Sequence, residues 1–418
     1  MIGNKYGEFG TDMERAFWGV IKDYVEREVF PVREQLDDDR EHVYIDKIKQ
    51  GIAIDLGVQQ SFIPAKYGGL GLWSWVTMGP CCEEMARGDV GIGTDVAITA
   101  GWGPTAAINA DNEVIFKEVL FPMLGDKAIT ACVVFTVPYG GCNVESYDAG
   151  GRAIRTIAKE DGDDYVINGH HIWPSGSGVA EYYVTVCSTD PSKGTNGVAI
   201  IYVPKDTPGL TFGQPEEKMG MRYTDVNTEI WYDNVRVPKR WRASEVPGED
   251  WLSFQEIISL GRFGSAAFCI GAAQACMEIV IDYTGDRYYA GKKVRDHGLQ
   301  ACMIADMAIN IEAGRSYYLN VARMADDPEQ KYGSRDSVDM VARASGVKYF
   351  CGQVAEMVPN LSMRLMGAMG YSKKCHVEKY LRDIKIIQLW LGGTELARID
   401  NARGYYDMPQ YEKIEPLT

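Results

Sequence analysis

The sequence predicts an α+β fold in three parts: an N-terminal helical domain over 1–125, a middle antiparallel β domain over 126–245 and a C-terminal helical bundle domain over 246–418. Two observations predict it. Apolar residues recur at helical spacing in the first and last thirds, and the middle is rich in β-branched and aromatic residues cut by turn signals. The length of 418 residues agrees, since about 100–200 residues per domain gives two to four.

The first third opens on a capping-box pattern, Thr11 with Glu14. Phe17, Val20, Ile21, Tyr24 and Val25 follow at helical spacing up to Pro31. A Gly/Pro-rich turn, Ile63 to Gly71, interrupts, and helical character returns from about Trp75 to Leu124. In the middle, Tyr182–Cys187, Val198–Val203 and Glu229–Tyr232 read as strands, with Asp161-Gly162, Asn168-Gly169 and Asp233-Asn234 as turns. Small residues from Gly261 to Tyr283 suit close helix packing. Ala301–Met324 and Val338–Met369 follow as long core helices, and a last helix runs from about Thr394 to Tyr405.

The formal charge of −15 argues against nucleic acid as a partner. Ten Cys without a CxxC pair, and only five His, argue against zinc or iron–sulfur ligation, so no metal is expected. No run of about 20 apolar residues is present, and Met1-Ile2-Gly3-Asn4-Lys5 lacks an apolar signal core. The expectation is a cytoplasmic protein with no membrane span and buried, reduced thiols.

Five blocks resemble the acyl-CoA dehydrogenase family. Val133-Val134-Phe135-Thr136-Val137-Pro138-Tyr139-Gly140-Gly141-Cys142-Asn143 is similar to the family's Thr-Glu-Pro-Gly-x-Gly-Ser-Asp signature, with Val137, Tyr139, Cys142 and Asn143 as departures. Ile167-Asn168-Gly169 to Trp173-Pro174-Ser175 resembles its Asn-Gly hairpin, Trp and hydroxyl residue. Met219-Gly220-Met221-Arg222 through Val235-Arg236-Val237-Pro238 resembles strands that are mainly structural. Tyr283 to Gly291 resembles Tyr-x-x-x-Arg-x-x-Phe-Gly, with Ala290 in place of Phe. Arg364 to Tyr371 and Val377 to Asp383 match a Gly-rich turn and a Glu-Lys-x-x-Arg-Asp stretch.

The resemblance implies a C-terminal four-helix bundle and FAD. Phe135, Thr136, Trp173, Ser175, Thr394 and Glu395 would lie at the flavin. Gly367 and Ala368 would receive the adenine half, and Arg287 the diphosphate of a neighbouring subunit. An aromatic wall excludes water from the flavin ring, and a donor near N5 stabilises the reduced ring. Thr94, Asp95, Cys142, Arg262, Trp390, Leu391 and Gly392 would line the thioester site. The resemblance also implies a homotetramer, with electron-transfer flavoprotein as the acceptor.

The family's reaction needs a carboxylate to take the proton next to the thioester. Leu391 or, with a one-residue gap, Gly392 occupies the usual Glu position, and Gly261 occupies its alternative before Arg262. Counting back from Ala110-Asp111-Asn112 puts Asp95 on the distal acyl pocket, amid Val96, Ala97 and Ile98. There it should be a base of raised pKa, unless it caps a helix or faces water. Asp89 reads as a cap, and Glu395 as facing the flavin rather than acting as base.

An Asp in the distal pocket without the alpha-carbon Glu resembles the cyclohex-1-ene-1-carboxyl-CoA dehydrogenase branch of anaerobic aromatic metabolism. There the Asp takes a proton from a ring carbon made acidic by conjugation. Two other readings stay open: a conventional 1,2-dehydrogenase of a branched, dicarboxylic or aromatic acyl-CoA, and a non-redox lyase or partner subunit on the same fold.

Overall fold

A computed structural model of the chain describes residues 5–406 apart from 8, 73 and 148. The sequence start Met1 to Asn4 and the last twelve positions, 407–418, lie outside the described residues.

The N-terminal part is helical. Helix α1 (Asp12–Tyr24) carries the expected capping box: the Thr11 side chain accepts from Glu14 N and the Glu14 carboxylate accepts from Thr11 N. Helix α2 (Val43–Gln50), α3 (Trp75–Gly88) and α4 (Val90–Ala97) follow, and α4 runs on into a wider turn over Ile98–Trp102. Asp89 caps α4, accepting from Gly91 N and Ile92 N, as its position suggested.

The middle part is a seven-stranded sheet: β1 (Ala131–Val134), β2 (Ile157–Asp161), β3 (Asp164–Ser175), β4 (Tyr182–Ser188), β5 (Val198–Pro204), β6 (Leu210–Phe212) and β7 (Asn227–Pro238). Six run in the order β1-β4-β2-β3-β7-β6, and β5 pairs with β4. The expectation of an antiparallel sheet needs correcting. β1 pairs with β4 in parallel, Ala131 opposite Tyr182. Parallel neighbours need a long crossover, which the chain between Val134 and Tyr182 supplies. Strand composition does not encode this sense.

Two expected turns are also corrected. Asp161-Gly162 does turn β2 into β3. Asn168-Gly169 and Asp233-Asn234 instead lie inside β3 and β7, where the register shifts from Ile167↔Val235 to Gly169↔Tyr232. The extra residue on β7 makes a bulge. Asn234 adopts the left-handed conformation at φ 52, and its N–H donates to Asn168 Oδ1 at 2.9 Å. At Gly169 a Cβ would lie 2.3 Å from Thr156 Oγ1, so the glycine serves a close approach.

Strands β4 and β5 are buried on both faces. Tyr182, Val184 and Val186 join the helical core, while Tyr183 and Cys187 join the core inside the sheet. This period of two clamps the middle part onto the helices.

The C-terminal part packs α5 (Glu249–Asp286), α6 (Gly298–Ala325), α7 (Val338–Met366) and α8 (Val377–Leu389) into a bundle closed by α9 (Gly393–Arg403). Helix α5 is long and apolar enough to cross a membrane, but it is a core helix, with 78% of that apolar window buried. Its small residues bring backbones together as expected: at Gly271 a Cβ would lie 2.2 Å from the Glu83 carbonyl oxygen of α3. Seven of the ten thiols are buried and unbridged, and Cys142 and Cys302 are exposed.

Candidate functional site

A second register shift in β3, between Ile172 and Ser175, throws Trp173 out of the strand. Trp173 has φ 54 and is 51% exposed. A non-glycine residue held left-handed with its indole in the open is costly, and such strain gathers at ligand sites.

Beside it the Thr136 carbonyl accepts from Ile172 N at 3.2 Å and faces His171 Nδ1 at 3.2 Å. Burial pushes the His171 pKa down to about 4, so the ring is neutral. Nδ1–H then donates to Thr136, and Nε2 accepts from Thr156 Oγ1 at 2.6 Å. Phe135 stands edge-on to Phe254 of α5, with centroids 5.4 Å apart. The Ser175 hydroxyl donates to Asp225 Oδ2 at 3.0 Å, and Asp225 Oδ1 is buried without a partner. Burial raises the Asp225 pKa, and Lys218 and Ser175 oppose the rise. Phe135, Thr136, Trp173 and Ser175 thus gather at one end of the sheet.

Asp95 lies on α4, only 8% exposed. It neither caps a helix nor sits in purely apolar surroundings. Lys49 Nζ of α2 lies 2.5 Å from its Oδ2, and Lys49 also donates to Thr130 Oγ1. The expectation of a carboxylate in an apolar setting therefore needs correcting, because a cation from another helix meets it. Thr94, its neighbour, is fully buried with Oγ1 unpartnered.

The turn between α8 and α9 is held by two buried cations. Arg262 Nε donates to Leu391 O at 3.2 Å, and its Nη1 meets Asp400 Oδ2 at 2.6 Å and Ser345 Oγ at 2.7 Å. Lys348 Nζ donates to Trp390 O at 2.5 Å and Gly393 O at 3.2 Å. Burial lowers the Lys348 pKa. Trp390 Nε1 donates to Ser265 Oγ at 2.8 Å. Leu391 and Gly392 both have positive φ, 49 and 83. Leu391 points at Gly261: a Cβ there would lie 2.7 Å from Leu391 Cδ1 and 3.1 Å from Trp102 Nε1. Thr394 and Glu395 begin α9, with the Glu395 carboxyl exposed and bonded by the Thr394 hydroxyl.

Other expected residues stand apart. Arg287 is exposed at the end of α5, about 25 residues beyond Arg262, which is about 38 Å along a helix. Gly367 and Ala368 are exposed where α7 ends, and Cys142 is exposed on the turn Gly141–Val144. A separate cavity of about 540 Å³ lies between α1 and the far half of α5; its charged walls, Arg87 with Glu26, Glu84 and Glu278, are already ion-paired.

Sequence reasoning missed Lys49, Asp225, Glu145 and Lys348. Lys348 carried a signal, since it sits on the stripe Met340, Ala344, Val347, Cys351 that the helical period buries. Glu145 lay two residues beyond the strand-to-turn block, which ends at Asn143.

Family models for the acyl-CoA dehydrogenase N-terminal, middle and C-terminal domains match residues 11–122, 132–235 and 249–406. The short/branched chain specific acyl-CoA dehydrogenase of Bos taurus is 30% identical over 393 residues, 92% of this chain and 84% of that one. The chain belongs to the acyl-CoA dehydrogenase family. It is thereby an oxidoreductase acting on a CH–CH bond. The cyclohex-1-ene-1-carbonyl-CoA dehydrogenase of Geobacter metallireducens is 28% identical over 394 residues, 94% of this chain and 98% of that one. The structure of butyryl-CoA dehydrogenase from Megasphaera elsdenii superposes with a TM-score of 0.83 at 25% identity, covering 95% of this chain and 98% of that one.

Proposed function

We propose that this acyl-CoA dehydrogenase uses FAD to oxidise a cyclic acyl-CoA, with Asp95 taking a ring proton in a 1,4-elimination. The observation that carries the reading is the pairing of Leu391 with Gly261. Both positions where the resemblance puts the base lack a carboxylate, while a buried one stands on α4. The likeness to a cyclohex-1-ene-1-carbonyl-CoA dehydrogenase along nearly the whole of both chains supports the substrate class.

The residues fit a flavin. The exposed Trp173 indole offers a flat face, the Thr136 segment is fixed from behind by His171, and Asp225 Oδ1 lacks a partner beside Ser175. Thr136, Trp173 and Ser175 would hold the ring, which would supply the hydride acceptor. Arg287 and Gly367–Ala368 would serve the FAD of another copy in a homotetramer, because α5 carries Arg287 far from its own Arg262. Electrons would leave through an electron-transfer flavoprotein.

Asp95 would act from an ion pair. Lys49 Nζ, 2.5 Å from Oδ2, would hold the carboxylate in place. Ring conjugation would acidify the carbon it faces. The 30% identity to the short/branched chain enzyme favours a second reading, a conventional 1,2-dehydrogenase.

Anoxic mixing with a panel of CoA thioesters tests the choice. Cyclohex-1-ene-carbonyl-CoA should bleach the flavin absorbance, and Asp95→Asn should abolish the bleaching. Bleaching by butyryl-CoA alone, untouched by that substitution, would reject the cyclic reading.

A further inference from the structure

Glu145 has no place in the function proposed above, yet it is a buried carboxylate with an unpartnered oxygen. It follows the turn Gly141–Val144 and is 5% exposed. Its Oε2 is buried without a hydrogen-bond partner. The charged groups facing it are Arg262 of α5, Lys348 of α7 and Asp400 of α9. Arg262 and Lys348 are the cations that hold the carbonyls of Leu391, Trp390 and Gly393. Glu145 therefore reaches from the middle part to the turn where the resemblance expects a base.

Two unpartnered donors border the same place. Trp102 Nε1 and Arg262 Nη2 are buried without partners. A Cβ at Gly261 would lie 3.1 Å from the first, and a Cβ at Gly392 would lie 3.1 Å from the second. Two free donors and a free carboxylate oxygen on three different elements form an incomplete set. Proton abstraction next to a carbonyl uses such a set: a base for the carbon and donors for the oxygen that gains charge.

We propose that Glu145 is the proximal base at the turn between α8 and α9, its free Oε2 taking a proton from the carbon adjoining the thioester carbonyl. The inference rests on the acyl-CoA dehydrogenase reading but not on Asp95. The Cα–H bond breaks, the proton joins Oε2, and the electron pair remains as an enolate shared with the thioester oxygen. A bound flavin would supply the acceptor for the hydride of the next carbon, and the pair left by the proton would then form the new C=C. Burial raises the Glu145 pKa against the pull of Arg262 and Lys348, which makes it a better proton acceptor than an ordinary carboxylate. The step needs a hydrogen on the carbon next to the carbonyl, so Glu145 would serve thioesters saturated there, and Asp95 the ring-unsaturated thioester of the reading above.

Phenylacetyl-CoA isolates the step, because it has acidic hydrogens next to the thioester and no saturated carbon beyond from which hydride could leave. Holoenzyme in D2O should exchange those hydrogens, read by mass spectrometry. Glu145→Gln with full flavin content should exchange at least about 10²-fold more slowly, and Glu145→Asp should recover part of the rate. The wild-type rate should also rise with pD through an ionisation above the ordinary Glu value of about 4.3. Unchanged exchange in Glu145→Gln overturns the proposal. So does a wild-type rate independent of pD between about 5 and 9, a readout that needs no variant to fold. Wild-type protein that is bleached by a ring thioester yet exchanges nothing overturns it alone. Protein bleached by no thioester at all overturns the reading beneath it as well.

Discussion

Leu391 lies against Gly261, so close that a Cβ on the glycine would meet Leu391 Cδ1 at 2.7 Å. A side chain at Gly261 therefore requires Leu391 to move. Leu391→Glu should place a carboxylate beside Arg262 and the unpartnered Trp102 Nε1 without disturbing Gly261. The expected outcome, read in a Glu145→Gln background, is a gain of flavin bleaching by butyryl-CoA. Gly261→Glu should give no such gain, because Leu391 and Trp102 occupy its space, and it should lower Tm. Stopped-flow absorbance and calorimetry on the two variants check this; equal gains would refute the steric argument.

The Lys49–Asp95 pair makes a different prediction. A buried ion pair that loses one member leaves an uncompensated charge, at a cost of about 3–5 kcal/mol. Lys49→Met should therefore lower Tm and, by freeing the Asp95 carboxylate from its partner, change the bleaching rate with a ring thioester. Asp95→Asn should slow that step by about 10²- to 10⁴-fold at every pH. An Asp95→Asn rate equal to the wild type would show that Asp95 takes no part.

Arg287 tests the second copy. It is exposed at the end of α5, stacked on Tyr283 with its guanidinium 5.3 Å from the ring centroid. Arg287→Ala removes a forked cation from a diphosphate while leaving the core of its own chain intact. Purified protein should lose FAD on dilution at least about tenfold more readily, equivalent to about 1.4 kcal/mol. Its Tm in the absence of flavin should match the wild type. Sedimentation should give an assembly larger than one chain, and a monomer that retains FAD would refute the cross-subunit role.

The three-part order and most core helices were legible in the sequence because periodicity reports burial directly. Thr11 and Glu14 announced α1, and Tyr182–Cys187 announced β4, because those signals are local. The parallel pairing of β1 with β4 was not legible, since strand sense is set by where the chain returns. Asn168-Gly169 read as a turn because the same pair of residues also suits a bulge, and only the partner strand decides between them. In the candidate site, Thr136, Trp173 and Ser175 stood in short quoted blocks and do gather. The partners of Asp95 and Arg262 were hidden because Lys49 and Asp400 come from helices far along the chain. A carboxylate's surroundings are a tertiary property, so its apolar neighbours in sequence misled.

His171 couples acidity to the flavin segment. Its ring is fully buried between Thr136 O and Thr156 Oγ1, and its pKa falls to about 4 from an ordinary value near 6.5. Above the unfolded value the ring is neutral in both states and stability does not change with pH. Below it the unfolded chain binds a proton that the folded chain refuses, so stability falls as pH drops from 6.5 toward 4. The difference is worth about 3 kcal/mol from this group. His376, also pushed down to about 4 by burial, adds to the same slope. His171→Gln should therefore flatten the fall of Tm between pH 6.5 and 4, and with His376→Gln should flatten it further. Protonation at Nε2 also ends the bond accepted from Thr156, freeing the ring that fixes Thr136. Flavin fluorescence should thus rise on acidification before the far-ultraviolet signal changes. Simultaneous loss of both signals would show that His171 supports the fold as a whole and not the Thr136 segment in particular.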